Sequence, residues 1–175
     1  IDPRSIMAVT FTNKAARQMR ERINRLLDVD LPGLEVGTFH SWGLRFLIRN
    51  HRDLERVTGR RAASVFDRAD TRSLVKEIMK ELDIDPRQYE PGWVAERLCR
   101  AKSEGDPKTL RIGEQDPPIG PIYSNYQERL ARQGAVDFED LLILPLHLLV
   151  NDKVVSERER ERIDWILVDE YQDVN

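Results

Sequence analysis

The 175-residue sequence has little cysteine and little histidine, and both shortages exclude classes of site. Cys99 is the only cysteine, so the chain cannot form an internal disulfide, and a reducing, cytoplasmic setting is the expectation. The histidines His40, His51 and His147 share no metal-ligand spacing with Cys99 or with one another. The composition therefore predicts neither a disulfide-stabilised secreted domain nor a zinc site.

Long hydrophobic runs, a signal peptide and an excess of positive charge are also missing. No apolar stretch approaches the roughly 18 residues of a membrane helix, so we predict no membrane contact. The formal net charge of −3 argues against a uniformly basic surface, although residues 1–27 hold six basic residues and only two acidic ones. This segment could contact a polyanion locally. The chain begins with Ile1 rather than Met, and we expect it to be a piece of a longer protein.

Two strand-and-helix pairs open the chain. Residues 5–11 (SIMAVTF) form an apolar, β-capable run, and residues 12–28 place apolar side chains at helical spacing. Residues 34–39 (LEVGTF) and 40–50 repeat the same order. A β-α-β-α order is expected of a parallel sheet covered by helices.

Amphipathic helices dominate from about residue 41 to residue 163. Asp137 is predicted to cap one of them, in which Pro145 should produce a kink or an end. Residues 103–121 carry three Gly and four Pro and are predicted to be a loop. Residues 156–163 (SERERERI) alternate in charge and predict a solvated helix.

The last apolar run is followed at once by acidic residues. Residues 165–168 (WILV) are continuously hydrophobic, which predicts a parallel strand buried on both faces. Ligands of open α/β sheets bind at the carboxyl ends of the strands, where Asp169 and Glu170 would lie. Such a pair suits Mg²⁺ and phosphates, because one carboxylate can hold the hydrated metal while the other orients or deprotonates water. The alternative is a group of acids that caps a helix.

Four strings of residues carry a resemblance to a known family. Together, and in this order, they resemble motifs of the UvrD/PcrA/Rep family of superfamily 1 DNA helicases, over almost the whole chain. The strings are AVTFTNKAA (8–16), GTFHSWG (37–43), VDFEDLL (136–142) and ILVDEYQD (166–173). The resemblance implies an α/β fold, a partial RecA-like (P-loop NTPase) parallel sheet with a mostly α-helical insertion domain. The implied domains are motor domain 1A, at 1–40 and 164–175, and insertion domain 1B, at 41–163.

The first string implies contacts to single-stranded DNA where strand turns into helix. Phe11 would contact a base, Thr12 and Asn13 would touch the DNA backbone, and Lys14 would add positive charge. A helix N-terminus favours phosphate, and an exposed aromatic ring offers a stacking surface that tolerates any base. The alternatives are a core role for Phe11 and an ordinary turn or cap role for Asn13.

The second and third strings imply further contacts to DNA. Thr38, His40 and Ser41 would lie near the sugar-phosphate backbone, although a lone histidine at a strand end is more often structural. Phe138 would contact another base, and the alternative is that it anchors the helix that it precedes.

The fourth string resembles a Walker B motif. By this resemblance Asp169 would bind Mg²⁺, Glu170 would activate the hydrolytic water, and Gln172 would link nucleotide state to DNA contacts. Tyr171 is predicted to pack against the protein, and no role is predicted for Asp173.

The phosphate-binding string G-x-x-x-x-G-K-[ST] is missing from the sequence. The resemblance places that loop before Ile1 and the second motor domain after Asn175, so the chain alone should neither hydrolyse ATP nor unwind DNA. The resemblance implies that the whole protein is an ATP-dependent 3′-5′ helicase with ATP and Mg²⁺ as cofactors. The implied partners are single-stranded DNA and its junction with duplex DNA, and no protein partner is predicted.

Two other functions are compatible with the sequence. One is a non-enzymatic helical module that binds DNA or a protein. The other is a Mg²⁺-dependent nuclease built on Asp169, Glu170 and Asp173, which would need more acids from other strand ends.

Overall fold

The computed structural model describes residues 1–28, 31–104 and 119–173. The strands are β1 (Ile6–Thr10), β2 (Glu35–Thr38), β3 (Ser64–Val65), β4 (Ala135–Val136) and β5 (Trp165–Val168). The α-helices are α1 (Asn13–Leu27), α2 (Phe39–Arg49), α3 (His51–Thr58), α4 (Arg68–Glu81), α5 (Pro91–Ser103), α6 (Ile119–Arg132), α7 (Asp140–Asn151) and α8 (Lys153–Arg162). Most of the predicted loop at 103–121 lies outside the described residues.

The chain divides into two compact units. The first comprises Ile1–Asp53 with Leu144–Asn175, and the second comprises Leu54–Ile143. These bounds differ from the predicted domain borders, because α2 packs against β1 and β2 and because α8 forms ion pairs with α2 and β2. The assignment of these units to motor and insertion domains of a helicase stays a prediction.

A three-stranded parallel sheet forms the centre of the first unit. The strand order is β2-β1-β5, and Ala8 of β1 is paired with Val36 on one side and with Leu167 on the other. Met7, Ala8 and Val9 are buried. The predicted parallel sheet is confirmed, and the carboxyl ends of its three strands share one edge.

The burial predicted for β5 is wrong in this structure. Trp165, Ile166 and Leu167 are 54%, 59% and 58% exposed. In the described part of the chain β5 pairs with β1 on one side only, so its apolar side chains lie at a sheet edge rather than inside the sheet. The continuous apolar pattern correctly predicted a strand but not its position in the sheet.

The prediction of a solvated helix at 156–163 is confirmed for Glu157, Arg158, Arg160 and Glu161, which are exposed, but not for Glu159. Val155 is completely buried and Glu159 is 7% exposed. The Glu159 carboxylate accepts from the guanidinium of Arg162 at 2.8 Å, and Arg162 also pairs with Glu35 of β2 at 3.1 Å. Arg49 of α2 pairs with the same Glu35 carboxylate at 3.0 Å. These ion pairs tie the helix that precedes β5 to the opposite side of the sheet.

Helices α4, α5 and α6 form the core of the second unit, together with a short ladder of β3 and β4. The core side chains include Val75, Ile78, Leu98, Ile122 and Leu130, each at most 1% exposed. The pairing of β3 with β4 is parallel and was not predicted, because two-residue strands leave no periodic signal. None of the described helices is long and apolar enough to cross a membrane.

Helix α7 begins as predicted and is not ended by Pro145, while the alternative of a kink at Pro145 stays a prediction. The Asp137 carboxylate accepts a hydrogen bond from the backbone N–H of Asp140 at 2.9 Å, which confirms the predicted cap. The helix then continues through Pro145 to Asn151.

Candidate functional site

Three segments meet at the carboxyl edge of the parallel sheet. In the strand register Thr10 lies opposite Thr38, and Val9 lies opposite Val168. The backbone N–H of Asp169 donates to the carbonyl of Val9 at 3.0 Å, so the chain after β5 stays beside the end of β1. The residues that follow the three strands therefore lie on the same edge, as the sequence predicted.

The acid pair after β5 lies in a tight turn and faces solvent. Asp169 and Glu170 are both exposed, and Glu170 adopts a left-handed φ of 52°, a conformation that is unfavourable for most side chains. The N–H of Glu170 donates to Oδ1 of Asp169 at 3.1 Å, and the side-chain amide of Gln172 donates to Oε2 of Glu170. The turn thus holds three of the predicted site residues together.

The donor set at this turn fits a hydrated Mg²⁺. Asp169 presents a second carboxylate oxygen, Oδ2, for which the described residues provide no hydrogen bond. Mg²⁺ is usually held by one or two carboxylates together with water and substrate phosphates. The described residues contain no group of three or more His, Cys, Asp or Glu side chains arranged to hold a metal, and a site of this kind does not require one. Tyr171, which was predicted to pack, is 73% exposed.

The segment after β1 presents an aromatic ring and the start of a helix. Phe11 is 43% exposed, so it is not the core residue of the alternative interpretation. The hydroxyl of Thr12 accepts from the N–H of Ala15 at 3.1 Å and caps α1. Asn13 is the first residue of α1, and both Asn13 and Lys14 are exposed. The DNA contacts of these four residues stay a prediction.

Phe39 lies beside Phe11, a contact that the sequence interpretation missed. Its ring lies 5.4 Å from that of Phe11, centroid to centroid, with an angle of 54° between the ring planes. The register explains the pair, because Phe11 follows Thr10, Phe39 follows Thr38, and the two threonines are directly opposite. Two aromatic residues at equivalent positions after neighbouring parallel strands would have been a usable signal.

Thr38 and Ser41 form a capping box at the start of α2. The N–H of Ser41 donates to the Thr38 hydroxyl at 3.1 Å, and the Thr38 N–H donates to the Ser41 hydroxyl at 2.9 Å. Both hydroxyls are therefore engaged within the protein. The structure shows a helix-capping role for both residues, and their predicted DNA contacts are not tested by it.

Gly37 is needed where it stands because the Ser41 side chain lies against it. A Cβ added at Gly37 would overlap Oγ of Ser41 and would approach Arg45 to 3.1 Å. The presence of glycine at position 37 of the GTFHSWG string is thus explained by the space that the Ser41 side chain occupies.

His40 lies in the first turn of α2 and is partly buried. This burial lowers the pKa of its imidazole below the ordinary 6.5. In this structure the shift favours the neutral form of the imidazole.

In the second unit, Phe138 projects from the turn between β4 and α7. Its side chain is 52% exposed and, with Phe66 and Cys99, lines a groove of about 530 Å³. The exposed ring is compatible with the predicted base contact. Burial and Glu139 raise the pKa of the Cys99 thiol to about 12, which makes this cysteine an unreactive part of the groove wall.

A buried charge cluster lies beneath Phe138 and was missed from the sequence. Nζ of Lys102 donates to Asp137 at 2.7 Å and to Asp140 at 2.8 Å. Arg60 donates to both oxygens of Asp140, and the hydroxyl of Tyr126 donates to Asp137 at 3.1 Å. Local sequence patterns cannot reveal such a cluster, because its members lie up to 80 residues apart.

The fold and the site define a class of protein. A parallel sheet with an acid pair and exposed aromatic residues at its carboxyl edge is typical of α/β proteins that bind ligands at strand ends.

The chain belongs to the UvrD/REP helicase N-terminal domain family, which it matches over residues 1–175. It is 35% identical over 179 aligned residues to the ATP-dependent DNA helicase PcrA of Bacillus subtilis, covering 100% of this chain and 24% of the relative. The ATP-dependent DNA helicase PcrA of Staphylococcus aureus is 32% identical with the same coverage, and that of Leuconostoc citreum is 34% identical over 99% of this chain. The chain thus spans about a quarter of the length of these curated relatives.

Proposed function

We propose that this chain is part of a longer ATP-dependent DNA helicase that moves 3′ to 5′ along single-stranded DNA and couples ATP hydrolysis to unwinding. Family membership over the whole chain supports this function over the nuclease and the non-enzymatic module. The observation that carries the proposal is the hydrogen bond from Asp169 to Val9, which keeps the acid pair on the sheet edge that also presents Phe11. The residues proposed to bind the nucleotide and those proposed to bind DNA would then be connected through the paired strands β1 and β5.

On the nucleotide side, the chain supplies carboxylates and an amide. Asp169 would hold Mg²⁺, which in such sites neutralises charge on the phosphates of ATP. Glu170 would orient the attacking water and accept its proton. Gln172, whose amide donates to Glu170, would relay the state of the nucleotide to the neighbouring strand ends.

On the DNA side, the chain supplies exposed rings and helix starts. Phe11 would stack on a base, with Thr12, Asn13 and Lys14 at the backbone, while Thr38, His40 and Ser41 would approach the next phosphates. Stacking and phosphate contacts give affinity that falls with salt and depends little on sequence.

The second unit would supply a DNA contact of its own. Phe138 would contact a further base, and the helices around it would lean on the duplex at its junction with single-stranded DNA. By itself the 175-residue chain lacks the G-x-x-x-x-G-K-[ST] string, so we propose that it does not hydrolyse ATP or unwind DNA alone.

Replacement of Glu170 by Gln in the full-length protein tests the proposal. We expect DNA-stimulated ATP turnover and unwinding to fall roughly 10²- to 10⁴-fold, the usual contribution of a general base, with nucleotide affinity retained. Glu157→Gln, at an exposed acid of α8, is the matched control and should leave turnover unchanged. Full turnover in Glu170→Gln would overturn the assigned role.

A further inference from the structure

The charge cluster in the second unit is almost completely removed from water. The side chains of Lys102, Asp137 and Asp140 are 5%, 2% and 1% exposed, and that of Arg60 is 15% exposed. Burial would raise the pKa of Asp140, but Lys102 and Arg60 outweigh it and hold this pKa below its ordinary value. The cluster therefore consists of two cations and two carboxylates that neutralise one another.

Stability alone is a weak reason for such a cluster. Removing charges from water costs several kcal/mol per ion, and well-packed apolar residues often replace buried ion pairs without loss. The surrounding core is mainly apolar, with Val94, Leu98 and Leu130 at most 1% exposed. The cluster is better explained by a role in fixing the geometry of the turn from Asp137 to Asp140.

Two members of the cluster, Asp137 and Asp140, flank Phe138 and hydrogen-bond to each other across the turn that carries it. The N–H of Asp140 donates to Asp137 at 2.9 Å, and the N–H of Asp137 donates back to Asp140 at 3.2 Å. Both flanking carboxylates point into the core, so Phe138 and Glu139 are the two residues left on the outer side. Burial at positions 137 and 140 thus forces Phe138 outward.

Three separate elements hold the two carboxylates in place. Lys102 comes from α5, Tyr126 from α6, and Arg60 from the segment after α3. Thr71 of α4 extends the chain of hydrogen bonds, with its hydroxyl 3.2 Å from that of Tyr126. The orientation of the Phe138 turn is consequently tied to the core of the whole unit.

We infer that Lys102, with Arg60 and Tyr126, is a positioning residue for Phe138: it fixes the Asp137–Asp140 turn so that the ring is presented to DNA. This inference rests on the proposed function, in which Phe138 contacts a base. Lys102 itself is buried and does not touch DNA.

A double-mutant cycle in the full-length protein tests the inference. The variants are Lys102→Met, Phe138→Ala and both together, with oligothymidine affinity and the quenching of 2-aminopurine within the oligonucleotide as readouts. Phe138→Ala should weaken binding roughly 5- to 150-fold, the range for loss of one stacked base. Lys102→Met should weaken it by about twofold or more, the lower end of coupling between residues that act together. The double variant should bind no more weakly than Phe138→Ala.

The outcomes separate the inference from the function on which it rests. If Lys102→Met leaves affinity unchanged, or weakens binding by the same factor with and without the Phe138 ring, the positioning role is overturned while the base contact stands. If Phe138→Ala has no effect, the base contact fails and the positioning role fails with it.

A milder variant covers the case in which Lys102→Met does not fold. Tyr126→Phe removes only the hydroxyl that donates to Asp137, and it should reduce 2-aminopurine quenching in the presence of Phe138 but not in its absence. Tyr89→Phe and Lys76→Met, at sites on the same unit outside the cluster, are the matched controls and should leave quenching unchanged. Equal effects of Tyr126→Phe with and without Phe138 would overturn the inference.

Discussion

At the scale of single residues, hydrogen bonding separates the predicted site into two kinds of side chain. Phe11 and Asp169 are exposed and present a ring face and a carboxylate oxygen to solvent. The side-chain hydroxyls of Thr38 and Ser41 each accept a hydrogen bond from the backbone N–H of the other residue. Substitution of Phe11 or Asp169 should therefore change ligand binding with little effect on the free energy of unfolding. Substitution of Thr38 or Ser41 should lower the free energy of unfolding.

Phe11→Ala tests the proposed stacking of a base on the Phe11 ring. In the full-length protein Phe11→Ala should weaken binding of single-stranded DNA roughly 5- to 150-fold, because one stacked base is lost. The dependence of affinity on salt should not change, because no phosphate contact is removed. Fluorescence anisotropy with oligonucleotides of different sequence, over a range of salt concentrations, measures both quantities.

Phe11→Trp is the control for the stacking account, since it keeps an aromatic face at the same position and should retain affinity. A variant Phe11→Ala that binds as tightly as the unchanged protein would show that the ring serves only to pack against Phe39.

At the scale of secondary-structure elements, local signals predicted the positions of β1, β2 and β5 in the sequence but not the burial of every element. Asp137 caps its helix as predicted, whereas α1 is capped by Thr12 and not by Asn13, the residue for which a cap was considered. The exposure of β5 and the burial of Glu159 could not be predicted in the same way. Both depend on partners distant in the sequence, such as the Arg162–Glu35 pair, which spans 127 positions.

Gly37→Ala tests the local account of the α2 start. The added methyl group should displace the Ser41 side chain, and loss of the capping box should lower the free energy of unfolding by about 0.5–2 kcal/mol. Chemical denaturation of the variant measures this change. Gly120→Ala is the control, because a Cβ at Gly120, in the first turn of α6, meets open space and should not destabilise.

The same prediction can be tested by non-additivity. In a Ser41→Ala background the obstruction is gone and the cap is already lost, so Gly37→Ala should then cost little. An equal cost in both backgrounds would show that the glycine is needed for another reason.

At the scale of the whole molecule, the sequence motifs predicted the α/β class and the shared strand edge. The parallel register then accounts for the neighbourhood of Phe11 and the acid pair, which lie more than 150 positions apart in the sequence. The Phe11–Phe39 pair and the Lys102 cluster were not predicted, because they depend on strand register and on tertiary packing. The division at residues 53 and 143 likewise follows from packing of α2 and α8 that composition does not reveal.

The chain spans about a quarter of the length of its curated relatives, so nucleotide binding is tested in the full-length protein. The proposed nucleotide site requires that the acid pair after β5 faces the metal and phosphates of a bound nucleotide. Its most direct test is the Mg²⁺ dependence of nucleotide binding in the full-length protein, measured with a non-hydrolysable ATP analogue.

Asp169→Asn should abolish the tightening of analogue binding that Mg²⁺ produces, while binding in the presence of a chelator stays the same. Asp164→Asn, at an exposed acid before the opposite end of the same strand, should retain the full Mg²⁺ effect. If Asp169→Asn responds to Mg²⁺ as the unchanged protein does, the acid pair does not face the metal and the account is contradicted.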